Sequence, residues 1–135
     1  MTFLASLDRY AAGAKQDMAT IARRLVLDVG TRLVMRSPVG DATAWRNPPP
    51  AGYVGGRFRA NWQYGYNDAP VGDLVDIDKS GAVSVARVKR GVESSPAAGI
   101  HYLANNLPYA QRLEDGYSKQ APQGMVALTL VEFSQ

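Results

Sequence analysis

The chain has 135 residues, 46% of them hydrophobic, with 15 Lys and Arg against 12 Asp and Glu and no cysteine. That length suits a single domain spanning 1–135 with a small core. The composition excludes disulfides and thiolate metal sites, no run approaches the ~18 apolar residues of a membrane span, and a net charge of +3 is too mild to signal nucleic-acid binding. The charge is uneven: residues 1–60 carry nine basic and four acidic side chains, residues 61–135 six and eight. Such polarity can orient neighbouring subunits head to tail or give a ring a basic side, although an ordinary solvated surface produces it too.

Leu4, Leu7, Ala11, Ala14, Met18, Ile21, Leu25, Val29 and Leu33 recur at three- and four-residue steps, one apolar face of a helix. The start, Met1-Thr2-Phe3-Leu4, has no basic stretch ahead of its apolar residues and does not read as a secretory signal. Pro38 forces the residue before it out of helical geometry, so the helix is expected to end near Arg36. At 1.5 Å per residue, a helix of ~30 residues spans ~45 Å, long for so small a domain. It either forms a purely internal core or also meets a neighbouring subunit.

Residues 37–56 read as an extended loop within the domain, with Pro48-Pro49-Pro50 followed by Gly52, Gly55 and Gly56. Its Trp45 and Tyr53 are candidate anchors for a partner, or fold back on their own domain. Arg57–Ala60 predicts a short helical turn. The alternation of Trp62, Tyr64 and Tyr66 with Gln63 and Gly65 predicts a strand. Leu74–Ile77 and Ala82–Val88 flank Lys79-Ser80-Gly81 and read as a hairpin. Ile100–Ala104 is a further expected strand, and Tyr109–Glu114 a short helix with Gly116 as its stop. Met125–Phe133 fits a helix by its spacing and a strand by its β-branched content; helix is the favoured reading. The expected architecture is α+β: a long N-terminal helix on a small antiparallel sheet of three to four strands, with one or two short C-terminal helices.

Few residues offer chemistry. Asp76, Asp78, Ser80 and Gly81 mimic the start of a calcium loop, but Arg87 stands where that loop needs a bidentate Glu. His101 is the only histidine and, without cysteine, cannot build a zinc site. In an alternating strand it reads as a half-buried structural residue. Glu114 and Asp115 are adjacent and cannot face one another as an acid–base pair on a helix. No catalytic residue, cofactor or metal site is expected. Arg57, Arg59 and Trp62 can stack on or pair with nucleic acid, while Arg alternating with Phe58 fits equally an amphipathic segment whose guanidinium forks meet carboxylates. Tyr109 and Leu113 should share a buried helical face. Arg112 or Lys119 can meet an acidic group on another subunit.

Three stretches taken in order carry a resemblance: Ser37-Pro38-Val39-Gly40, then Gly55-Gly56-Arg57-Phe58-Arg59-Ala60-Asn61-Trp62, then Asn106 through Val126, which includes Tyr109-Ala110-Gln111-Arg112-Leu113-Glu114-Asp115-Gly116-Tyr117. The set resembles the tail-completion, or neck, proteins of long-tailed bacteriophages, most nearly the minor tail protein Z kind of lambda-like phages. An insertion holding Trp45 and Pro48–Pro50 separates the first two stretches, and Gly55-Gly56 stands where that family often has Thr-Gly. The resemblance implies a non-enzymatic virion protein, made in the host bacterial cytoplasm and placed at the head–tail junction. It implies a ring, commonly of six copies, against the tail terminator or tail tube on one side and head-closure, adaptor or portal proteins on the other. DNA would pass through the lumen with no more than non-specific contact. It makes Glu114 a structural or interface residue. The rival readings are a tail terminator or head-closure protein, a nucleic-acid-binding module, and an enzyme built on His101.

Overall fold

The computed structural model describes residues 18–40 and 54–134. Helix α1 runs Met18–Arg36 and a single turn, α2, covers Arg57–Ala60. Strand β1 is Trp62–Tyr66, helix α3 Ala82–Glu93 and strand β2 His101–Asn105. Two short helices follow, α4 at Ala110–Glu114 and α5 at Val126–Phe133. The class is α+β, and the end of α1 at Arg36, the turn at 57–60, the strand at 62–66 and the helix within 125–133 are as expected. The expected helix N-terminal to Met18 lies outside the described residues.

The hairpin expected at 74–88 is a correction. Its second arm is the start of α3, and among the described residues the sheet has two strands rather than three or four. Over the short window 82–88 the valines and alternation favour a strand. Extending the window shows Val85, Val88 and Val92 at helical steps, and Val88 and Val92 are both buried. Burial of a continuous helical face outweighs the small χ1 entropy cost of valine in a helix.

Strands β1 and β2 pair antiparallel, Trp62 opposite Asn105 through Tyr66 opposite His101. Helices α1 and α3 pack together against the face carrying Tyr64 and Leu103. Gly30 makes this approach possible. A Cβ there would lie 2.9 Å from Val88 Cγ1 and 3.3 Å from Leu103 Cδ2. Two-stranded ribbons are marginal alone; here the helical layer supplies the missing apolar contact.

The main core gathers Leu33, Val34, Phe58, Trp62, Leu107, Ala121 and Met125, with Val29, Val85, Leu103, Ala110 and Leu113 packed on it. Each large side chain contributes about 1.5–3 kcal/mol of transfer free energy. The cluster therefore binds the end of α1, the α2 turn and the C-terminal third into one body. Among the described residues, no helix is long and apolar enough to cross a membrane.

Candidate functional site

The stretch from Gly55 to Trp62 is wired inward. Gly56 holds φ 109°, a left-handed conformation at the start of α2. Its carbonyl accepts from Ala60 N–H (3.0 Å) and from Asp78 N–H (3.1 Å). Phe58 and Trp62 are buried and meet edge to face at 6.2 Å. Trp62 Nε1 donates to Ser37 Oγ (2.6 Å), and Ser37 Oγ donates to Leu33 O (2.7 Å). Arg59 spreads its guanidinium over the carbonyls of Lys79 (2.7 Å), Ser37 (2.8 Å) and Met35 (3.2 Å), closing the carbonyl end of α1 with a cation. Its Nε is buried and has no hydrogen-bond partner among the described residues. Arg57 bonds Leu74 O (3.2 Å) and Asp73 Oδ2 (3.1 Å). Asn61 is fully buried; Nδ2 donates to Arg57 O (2.7 Å) and Leu74 O (3.0 Å), while Oδ1 accepts from Leu74 N–H (2.7 Å).

The C-terminal stretch is wired in the same manner. Tyr109 stacks obliquely on Phe58 at 6.1 Å and is partly exposed. Helix α4 ends in a Schellman motif: Gly116 N–H donates to Leu113 O and Tyr117 N–H to Arg112 O, both 3.1 Å. The Arg112 guanidinium lies 4.5 Å above the Tyr117 ring, a cation–π contact across the same turn. The Glu114 carboxylate accepts from Met125 N–H (2.9 Å), Val126 N–H (2.8 Å) and Ala127 N–H (2.9 Å). It is a remote N-terminal cap for α5, where an anion meets free N–H groups and the positive end of the helix. Lys119 is exposed. Trp45 and Tyr53 lie outside the described residues. Of the ten candidate contact residues, Phe58 and Trp62 thus face the core and Arg59 is spent on backbone carbonyls. Arg57, Arg112, Glu114 and Tyr109 hold internal contacts at the surface.

Sequence reasoning named Ser37, Asn61 and Asp78 but missed their roles as buried hydrogen-bonding centres. Asp78 is buried at the start of α3. Its Oδ2 accepts from Ser84 N–H (2.7 Å) and Oγ (2.8 Å), its Oδ1 from Gly81 N–H (3.0 Å). Burial works to raise its carboxyl, but the bonds from Ser84, Gly81 and Ser80 outweigh this and hold it below the ordinary carboxylate value. The signal was present as Asp-Lys-Ser-Gly ahead of valines at helical spacing, a helix start rather than a hairpin turn. Glu132 is likewise lowered by hydrogen bonds from Arg36 first and Arg32 second.

His101 sits between Tyr64 and Tyr66, with ring centroids 5.8 and 5.4 Å away. Its Nε2 lies 2.9 Å from Ala97 O, which can only accept, so Nε2 carries the proton. Nδ1 then accepts from Tyr64 OH at 2.6 Å. Both ring nitrogens are occupied by structural bonds. An open depression of about 440 Å³ is lined by Gln63, Tyr64, Leu74, Asp76, Arg87 and Arg90 among others; His101 is not part of it. Among the described residues no three His, Cys, Asp or Glu gather where a metal could sit.

Comparison with family models, curated proteins and solved structures finds no match to this chain.

Outside the wired centre the molecule shows apolar surface. Helix α5 is inverted: it buries Thr129, which accepts from Arg36 Nη1 (2.8 Å) and donates to Met125 O (2.7 Å), and turns Val126, Leu128, Leu130 and Val131 outward. Glu132 on the same helix pairs with Arg32 (2.9 Å) and with Arg36. The polar face of α5 meets the cationic end of α1, which leaves its apolar face for solvent or a partner.

Proposed function

We propose that this chain is a structural protein of the bacteriophage neck, one subunit of a ring, commonly of six copies, that completes the tail and joins it to the head connector with DNA threading the opening. The observation that carries the reading is the convergence of the three signature stretches, far apart in sequence, on one core. Ser37 bonds Trp62 and Phe58 stacks on Tyr109. Val39 and Gln120 exchange hydrogen bonds of 2.9 and 2.8 Å. Leu107, Ala121 and Met125 fill the space between. Residues that meet in this way belong to one scaffold, which supports reading the three stretches together rather than one by one. The apolar outer faces of α5 and of residues 71–77 are what a protein working through contacts between subunits requires.

The work asked of such a subunit is geometric. Heterologous contacts close the ring, and neighbouring rings seat above and below. The test is deletion of the chain from the phage genome that encodes it. The expected outcome is DNA-filled heads and complete-looking tails that stay apart, rescued by supplying the protein. Normal yields of joined, infectious particles without it would overturn the proposal.

A further inference from the structure

Helix α5 is held to the rest of the molecule by polar contacts more than by apolar ones. Within Val126–Phe133 only Thr129 is buried and Phe133 half-buried, and the other side chains are exposed. Its large aliphatic residues range from 38% exposed at Val126 and Leu128 to 64% at Leu130. A surface helix ordinarily secures itself by burying its apolar stripe. One of only two turns has little stability of its own, so what fastens α5 decides whether it forms.

Arg36, the last residue of α1, spans one turn of α5 with its planar fork. Nη1 donates to Thr129 Oγ1 (2.8 Å) and Nη2 to Glu132 Oε2. Arg32, one turn earlier on α1, donates from Nε to the other oxygen, Glu132 Oε1 (2.9 Å). These ion pairs are partly solvated, with side chains 44% exposed at Arg32, 25% at Arg36 and 36% at Glu132. Pairs in such surroundings contribute little each and weaken with salt. The start of the helix is fastened separately. Met125 is buried in the core, and Glu114 accepts from the N–H groups of the first turn. Gly124, at φ 80°, brings the chain so close that a Cβ would lie 2.5 Å from Glu114 O. Helix α5 therefore has one fixed end and one releasable face.

We propose that α5 is a latched element, clamped by the Arg36 fork, that opens as a unit from Thr129 onward while the core up to Met125 stays folded. When the fork lets go of Thr129 and Glu132, the inner face of α5 loses the bonds that hold it to α1. A helix this short then unravels, because it lacks tertiary support. Release also bares the guanidinium groups of Arg32 and Arg36, which the closed form keeps on Glu132. The inference goes beyond the neck reading and is independent of it, since the latch lies within one copy.

The test is residue-resolved hydrogen exchange on the full chain over a urea series, with Val88 and Val92 in the buried face of α3 as the reference. Amides of residues 129–134 should share one opening free energy. They should exchange about tenfold or more faster than Val88 and Val92, with a shallower urea dependence, as a partial opening requires. Arg36→Lys keeps the charge but cannot bond Thr129 and Glu132 together. It should speed exchange of 129–134 by about tenfold, and these amides should still exchange ahead of Val88 and Val92. Glu132→Gln should speed it by about threefold and remove the acceleration that the parent shows when salt is raised to about 1 M. If Arg36→Lys fails to fold, the salt series on the parent and on Glu132→Gln carries the test. Three results overturn the inference: residues 129–134 opening only together with Val88 and Val92, protection graded from one residue to the next as in simple fraying, or exchange of α5 indifferent to salt and to these substitutions.

Discussion

The α2–β1 stretch and helix α5 use opposite logics. From Gly56 to Trp62 nearly every polar atom is turned inward: Asn61 makes three bonds while fully buried, and Arg59 caps three carbonyls. In α5 the polar Thr129 is buried and four aliphatic side chains are shown to the outside. The first arrangement maximises internal specificity, because each buried polar group has one geometry that satisfies it. The second leaves apolar area in water, which a chain tolerates when something else covers it. The contrast separates the residues that build the fold from the apolar surface the fold leaves exposed.

The hardest blow to the inward region is Asn61→Ala. It strands Leu74 N–H and the Arg57 carbonyl in a buried space and takes one of two donors from Leu74 O, and should cost about 3 kcal/mol, read as a lowered urea midpoint with unchanged m-value. Glu114→Gln should cost about 1–2 kcal/mol, because a neutral amide cannot accept from three N–H groups at the positive end of α5. Fraying of α5 in hydrogen exchange would accompany it. A Glu114→Gln protein as stable as the parent would mean that the carboxylate does not hold that helix.

The acid side of the stability profile sharpens the same comparison. Asp78 and Glu132 both have folded values below their ordinary ones. Their stabilisation is therefore complete above the unfolded carboxylate pKa, about 4, and is lost as pH falls through the lower folded values. Stability measured from pH 7 down to 3 should drop below about pH 4, and Asp78→Asn should flatten that drop. Added salt should reduce the share of Glu132, which is exposed beside Arg32. The smallest effect on the free subunit is expected at Leu130→Gln on the outer face of α5, within about 0.5 kcal/mol of the parent. If α5 is a contact surface, the same change should impair assembly into particles out of proportion to its effect on folding.

Much of the frame was legible in order. Pro38 ended α1, Gly116 ended α4, and alternation over Trp62–Tyr66 marked β1, because each is a local signal with a local cause. Residues 74–93 were not, since a short valine-rich window looks like a strand until Val88 and Val92 extend the helical spacing. The internal contacts of the candidate residues were not legible. Arg57, Arg59 and Trp62 have the composition of a contact patch. Only the three-dimensional path of Lys79, Ser37 and Leu74 reveals what they bind. Similarly, Glu114 as the cap of α5 depends on a chain reversal over 115–125 that no periodicity encodes.

The most direct measurement of the central claim is electron microscopy of intact particles carrying a labelled copy of the chain. The account predicts label arranged as a ring at the junction of head and tail, with equivalent contacts between successive copies. Label on the capsid shell, along the tail or at its tip, or absent from mature particles, would contradict it.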